Sequence, residues 1–94
     1  MAPPFETFGR GDTVQLEIGL FAGLRCNNPA LPCFGKSEFL LEVPNGITIR
    51  QLREYLAIDP ALSLLTMVNN HHEQEEWVLH DNDRIGIFPP IGGG

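Results

Sequence analysis

The chain is short of basic residues. It carries six Lys and Arg against twelve Asp and Glu in 94 residues, which gives a net charge of −6. Proteins that bind nucleic acid neutralise phosphates with clustered Lys and Arg, so this balance argues against a nucleic-acid partner. It favours instead protein partners that offer a basic docking face.

Cysteine and long apolar runs are also scarce. Cys26 and Cys33 are too few for a disulfide framework, and the segment between them matches no zinc or redox motif. We interpret them as ordinary loop thiols, with a disulfide or a redox role left open. No segment approaches the roughly 18 apolar residues of a membrane span or resembles a signal peptide. We therefore expect a cytoplasmic protein without membrane contacts.

The sequence shows no constellation of groups for catalysis or metal binding. It has no Ser-His-Asp set, no phosphate-binding loop and no carboxylate pair of recognised spacing. His71, His72 and His80 lie near glutamates, but adjacent histidines in a strand point to opposite faces, which favours a solvated polar loop over a metal site. A chain this short also forms a thin core. We therefore expect a non-enzyme that binds no metal and no cofactor by itself.

Alternation of apolar and polar residues predicts the strands. The first two are joined by a Pro- and Gly-containing loop at 25–36 and make a plausible antiparallel pair. Pro89 and Pro90 end the last strand, because proline cannot donate to a sheet ladder. The predicted strands span 14–20, about 37–43, 64–69, a brief piece at 77–79, and 84–88.

One helix is predicted at about residues 48–57. Thr48 and Gln51 match a capping box, in which each side chain bonds the backbone N–H of the other residue. Apolar residues recur at helical spacing after Thr48. The Asp59-Pro60 pair predicts the helix end, because a residue before proline is disfavoured in the α region.

This order of elements predicts an α+β protein with a β-grasp fold, a mixed four- to five-stranded sheet packed on one main helix. We expect the last strand to lie beside the first, in the interior of the sheet and parallel to it. We expect the chain to divide into a flexible extension at 1–12, a β-grasp domain at 13–90 and a flexible tail at 91–94.

A family resemblance is concentrated in residues 81–94, DNDRIGIFPPIGGG. This segment combines an acidic turn, a last strand, a Pro-Pro pair and terminal glycines, and LTMVN at 65–69 adds to it. The chain resembles the MoaD/ThiS family of ubiquitin-like sulfur carriers over about residues 13–94. The Pro-Pro pair is most similar to the branch of molybdopterin synthase small subunits. Departures from the family pattern are Gly92, where a small non-glycine residue is usual, Asn82, and a longer loop at the two cysteines.

The resemblance implies a role for the chain terminus. An E1-like enzyme would adenylate the Gly94 carboxylate with ATP and convert it to a thiocarboxylate. The thiocarboxylate would donate sulfur within a larger synthase subunit, in molybdenum or tungsten cofactor biosynthesis. Three alternatives remain: a protein modifier conjugated through Gly94, a carrier for thiamin or another sulfur metabolite, and an interaction domain with an inert tail.

The residues near the terminus suit such chemistry. Gly93 and Gly94 present no side chain, so their backbone fits a narrow channel, and the Pro-Pro pair stiffens the base of the tail. Phe88 faces away from its inward neighbours and is either a docking anchor or packed against a nearby loop or the extension. Leu40 is similarly outward in its strand. The predicted partner-binding residues are Phe88, Pro89, Pro90, Ile91 and Gly92.

Overall fold

The computed structural model describes residues 13–89. The predicted extension at 1–12 and tail at 91–94 lie outside this range, as does Pro90. The elements are β1 Thr13–Leu20, β2 Glu38–Pro44, α1 Ile49–Tyr55, β3 Leu65–Val68, β4 His71–His72 and β5 Arg84–Phe88.

The sheet has the strand order β2-β1-β5-β3-β4. β1 pairs antiparallel with β2 and parallel with β5, so that Ile18 lies opposite Ile85. β5 is also paired antiparallel with β3 on its other side. The expected β-grasp fold is confirmed, with the last strand in the interior of a five-stranded mixed sheet beside the first.

Two local details differ from the sequence prediction. The histidines expected in a polar turn form the short edge strand β4, which pairs with β3. The extended piece expected at 77–79 makes only an isolated bridge, between Thr48 and Val78. Leu79 beside this bridge is nevertheless fully buried, so the piece contributes to the core without joining the sheet.

The core lies between α1 and one face of the sheet. Its centre consists of inward side chains from β1, from β5, and from the helix and its C-cap, each at most 1% exposed: Leu16, Ile18, Leu52, Leu56, Ile85 and Ile87. The opposite face of the sheet is covered by none of the elements described. Since α1 has only seven residues, the part of the chain described here contains no helix able to cross a membrane.

The helix begins as predicted but ends earlier. Both bonds of the Thr48–Gln51 capping box are present. At the other end, the Ile58 N–H donates to the Arg53 carbonyl (3.2 Å) and Ala57 adopts a left-handed conformation with φ of 59°. This is the pattern of a Schellman motif. The turn at Ala57, rather than the proline at position 60, therefore ends α1.

We expect Ala57→Gly to stabilise the protein by about 0.5–1 kcal/mol. The left-handed region costs a residue with a Cβ atom about 1–2 kcal/mol, part of which is offset by the greater freedom of glycine in the unfolded chain. Urea denaturation measures the change. The control is Ala61→Gly, at an exposed position without positive φ, which should be neutral or destabilising. An unchanged or lower unfolding free energy in Ala57→Gly would contradict the argument.

Candidate functional site at the end of the last strand

Strand β5 holds the base of the C-terminal tail. Its backbone is paired on both sides, with β1 and with β3, and Leu65 lies opposite Phe88 at its end. The pairing with β1 continues one residue beyond that strand, because the Phe21 N–H donates to the Ile87 carbonyl (3.1 Å). Ile85 and Ile87 anchor the strand in the core. The chain therefore leaves the sheet at Pro89 from a fixed interior position.

Phe88 packs on Phe21 on the sheet face opposite the helix. The two ring centroids are 4.4 Å apart and the ring planes are inclined by 4°, so the rings are stacked. Phe88 is half-buried and Phe21 is 41% exposed. Such a pair stabilises by about 0.5–1.5 kcal/mol beyond the area that it buries. It fixes a flat aromatic surface at the end of β5.

Both aromatic rings pack on the backbone of two paired glycines. Gly19 and Gly86 lie opposite each other in β1 and β5. A Cβ atom at Gly86 would lie 3.2 Å from the Phe88 ring and 3.4 Å from the Phe21 ring, and one at Gly19 would lie 3.3 Å from the Phe21 ring. The absence of side chains at these two positions therefore lets both rings lie close against the backbone of the sheet.

The aromatic pair borders a shallow groove of about 580 Å³ on the same face. We call this surface the docking face and define it by Phe21, Leu40, Met67 and Phe88. Leu40 is 62% exposed, whereas Met67 is half-buried. An exposed apolar patch with a polar rim is typical of a protein interaction surface.

The rim of the groove carries two acidic residues and one basic residue. Glu17 and Glu38 line it together with Arg84. The Arg84 Nε atom lies 3.5 Å from a Glu17 carboxylate oxygen, and both side chains are more than half exposed. The ion pair therefore contributes little to stability. Because Arg84 offsets the charge of Glu17, the charge of Glu38 leaves the rim negative overall.

The structure brings together only part of the predicted site. Phe88 and Pro89 are both half-buried at the strand end, and Phe88 packs on the start of the β1–β2 connection while keeping part of its ring exposed. Phe21 was not among the predicted site residues, although it continues the outward alternation of β1. The remaining predicted residues lie outside the described range: Pro90, Ile91, Gly92, Gly93 and Gly94.

Other charged groups are used within the fold. Arg53 of α1 is buried and makes an ion pair with Glu75, and exposed Arg50 pairs with Glu76. These contacts attach the helix to the segment after β4. Between residues 13 and 89, no three His, Cys, Asp or Glu side chains converge in a way that would hold a metal ion.

A match to a family model shows to which protein family this chain belongs. The model of the ThiS family matches residues 24–94, which is most of the sequence. The chain belongs to the ThiS family. Members of this family are small ubiquitin-like sulfur carriers that are generally not catalytic and typically work with E1-like and synthase partners. No curated protein matches this ThiS-family chain.

Solved structures show the same fold. A Pyrococcus furiosus protein described as molybdopterin converting factor, subunit 1, is 25% identical with a TM-score of 0.60, over 83% of this chain and 99% of that one. Small archaeal modifier protein 1 from Haloferax volcanii is 17% identical (TM-score 0.61; 83% and 99% covered). A ubiquitin from Caldiarchaeum subterraneum is 16% identical (TM-score 0.54; 87% and 99% covered). The latter two likenesses concern the fold alone.

We expect Phe21 and Phe88 to be energetically coupled in this ThiS-family protein. A double-mutant cycle of Phe21→Ala and Phe88→Ala should give a coupling of about 0.5–1.5 kcal/mol in unfolding free energy, because each ring loses its stacking partner when the other is removed. Phe21→Ala paired with Leu62→Ala, at an exposed position outside the groove, is the control and should be additive. Additivity of the aromatic pair would show that the stack contributes nothing.

Proposed function

We propose that this protein carries sulfur on its C-terminal carboxylate. An E1-like partner activates Gly94, the carboxylate becomes a thiocarboxylate, and a larger synthase subunit uses the sulfur in molybdopterin biosynthesis. The observation that carries the proposal is the ThiS family match, which extends through Gly94. The position of β5 supports it, because the described chain ends at a base from which a tail can be presented.

The chemistry explains why such a carrier needs a partner. A carboxylate is a poor electrophile, so it must first attack the α-phosphate of ATP, forming an acyl-adenylate and releasing pyrophosphate. A sulfur nucleophile then displaces AMP from the carbonyl carbon. The partner supplies ATP and the groups for both steps. The carrier supplies a carboxylate on a backbone slim enough to enter the partner.

The length of the tail is compatible with a reaction that takes place inside the partner. Five residues follow Pro89, and at about 3.3–3.6 Å per residue they extend at most about 18 Å. This length is sufficient to place the Gly94 carboxylate inside a partner while the sheet stays outside. Because the strand before the tail is paired on both sides, the partner need not order the base of the tail on binding, which lowers the entropic cost of association.

The docking face is the surface that we assign to both partners. It includes Phe88 at the end of β5, so a partner bound there would lie beside the point where the chain leaves the sheet. Phe88 and Leu40 offer apolar anchor groups, while the acidic rim and the net charge of −6 favour a partner with basic residues around its own apolar contact.

Two observations favour the molybdopterin branch. The Pro89-Pro90 pair before the terminal glycines resembles that branch. The Pyrococcus furiosus protein described as molybdopterin converting factor, subunit 1, shares the fold over 99% of its length at 25% identity. Intact mass of the protein from its native host distinguishes the alternatives. A thiocarboxylate replaces one oxygen by sulfur, whereas a modifier yields high-mass adducts through isopeptide bonds.

We expect the length of the tail to be critical. Deleting Gly94 withdraws the reacting carbonyl by about 3.5 Å, and misplacement by even about 1 Å can cost about 100-fold in rate. Appending Ala after Gly94 adds a methyl group and displaces the carboxylate outward. Both variants should be nearly inactive in ATP–pyrophosphate exchange with the activating enzyme.

The matched control for tail length is Gly92→Ala. It keeps the length of the chain and restores the small non-glycine residue usual in the family, so it should remain a good substrate. Full activity of both the shortened and the extended chain would mean that Gly94 is not the activated group.

We expect variants of the docking face to affect binding more than folding. Leu40→Asp should raise the KM for the carrier about 10-fold or more while lowering the unfolding free energy by only about 1 kcal/mol or less, because Leu40 is 62% exposed and the main cost to folding is the new carboxylate opposite Glu17. Phe88→Ala should weaken binding by about 2 kcal/mol or more. Leu62→Asp, an exposed change outside the groove, is the control. An unaltered KM for Leu40→Asp would place the docking surface elsewhere.

A further inference from the structure

The connection between β1 and β2 contains a pair of buried thiols. Cys26 and Cys33 are 0% and 2% exposed, and both are free. Their Sγ atoms are 3.0 Å apart, and the Cys33 thiol donates to the Cys26 sulfur. Since the bond in a disulfide is about 2.05 Å long, the two sulfur atoms need to approach by only about 1 Å to form one.

The backbone of the loop sets this proximity. The Cys26 N–H donates to the Lys36 carbonyl (3.0 Å), and the Gly35 N–H donates to the Cys26 carbonyl (2.8 Å). The Lys36 N–H donates in turn to the Cys33 carbonyl (2.9 Å). Three backbone hydrogen bonds thus connect the two cysteines through the turn at Gly35. The contact between the sulfur atoms is a consequence of loop architecture and does not depend on side-chain placement alone.

The same loop completes the C-terminal end of α1. The Asn27 N–H donates to the Leu56 carbonyl (2.9 Å), and the Asn28 Nδ2 atom donates to the Tyr55 carbonyl (2.8 Å). The last carbonyls of a helix have no partner within the helix. A cross-link within the loop would therefore restrain a segment that also caps the helix.

We propose that Cys26 and Cys33 are a disulfide-forming site, oxidised reversibly by low-molecular-weight disulfides such as oxidised glutathione. One cysteine thiolate attacks a sulfur of the oxidant and releases one small thiol. The second cysteine attacks the resulting mixed disulfide and releases the other. Two electrons pass from the cysteine sulfurs to the oxidant, and the two cysteine protons end on the released thiols. The proposal does not depend on the chemistry of Gly94.

The burial of the pair makes this reaction slow in the closed loop. Burial raises the pKa of the Cys33 thiol to about 12, and its hydrogen bond to Cys26 adds to this effect. Because the thiolate is the attacking species, little of Cys33 is reactive at neutral pH. Both cysteines are also buried, so an oxidant reaches them only when the loop opens, and we expect urea below the unfolding transition to accelerate oxidation.

Oxidation should stabilise the fold. The sequence separation of the two cysteines is seven residues. Closing a loop of this size restricts the unfolded chain, and for a domain of this length we expect the Tm to rise by roughly 10 °C.

The test is redox equilibration of the full chain. The protein is incubated in glutathione buffers of increasing oxidised fraction, with one sample taken through unfolding and refolding in each buffer. Free thiols are then alkylated under denaturing conditions and the intact mass is measured. We expect both thiols to disappear together, with the loss of two hydrogens and no lasting glutathione adduct. Stable glutathione adducts, or two free thiols after refolding in the most oxidising buffer, would overturn the proposal.

Single variants provide the matched control. Cys26→Ala and Cys33→Ala each retain one thiol, so they should form glutathione adducts at most and show no Tm increase on oxidation. Comparing the oxidised and reduced forms of the same chain removes the packing loss that each substitution causes. A Tm increase of equal size in a single variant, or none in the natural chain after its disulfide has formed, would contradict the assigned site.

Discussion

The parallel pairing of β1 with β5 is the contact on which the rest of the structure depends. It joins the beginning and the end of the described chain, from Glu17 opposite Arg84 to Leu20 opposite Ile87. Bringing such distant segments together costs loop-closure entropy before it gains any contact. The buried side chains of the two strands offset that cost, since Ile18, Ile85 and Ile87 lie at the centre of the core. The last strand is therefore anchored in the same core as the first.

This arrangement makes the two faces of the sheet unequal. One helix covers one face and buries the inward residues, while the other face keeps an apolar groove. Gly19 and Gly86 lie opposite each other beneath the aromatic pair, so the parallel register also creates the flat surface on which Phe21 and Phe88 stack. Fold stability and the docking face thus have a common origin in the pairing of two strands.

The roles that we propose for the carrier and for its partners follow from the same strand pairing. A carrier must present one carboxylate to different partners, which requires a fixed base, a slim end and a surface that each partner can recognise. β5 supplies the base, and the groove beside it supplies the surface. In our proposal the partners contribute the reactive groups, and their affinity for the docking face brings them to the tail.

The sequence by itself determined those features that depend on near neighbours in the chain. The capping box at Thr48 and Gln51 was predicted correctly because both of its bonds lie within one helical turn. The strand alternation was also predicted correctly, because it depends only on the polarity of successive residues. The β-grasp topology and the family followed from the order of elements and from the tail motif.

Tertiary structure alone decided the features in which distant surfaces meet. The stack of Phe21 on Phe88 depends on the register between β1 and β5, and the pairing of His72 depends on its position opposite Met67. Cys26 and Cys33 are close in sequence, yet their burial arises because the loop packs at the end of α1. Local patterns specify elements through a few hydrogen bonds and alternating polarity. Burial and stacking depend on which surfaces meet after the elements pack, and that is a property of the whole fold.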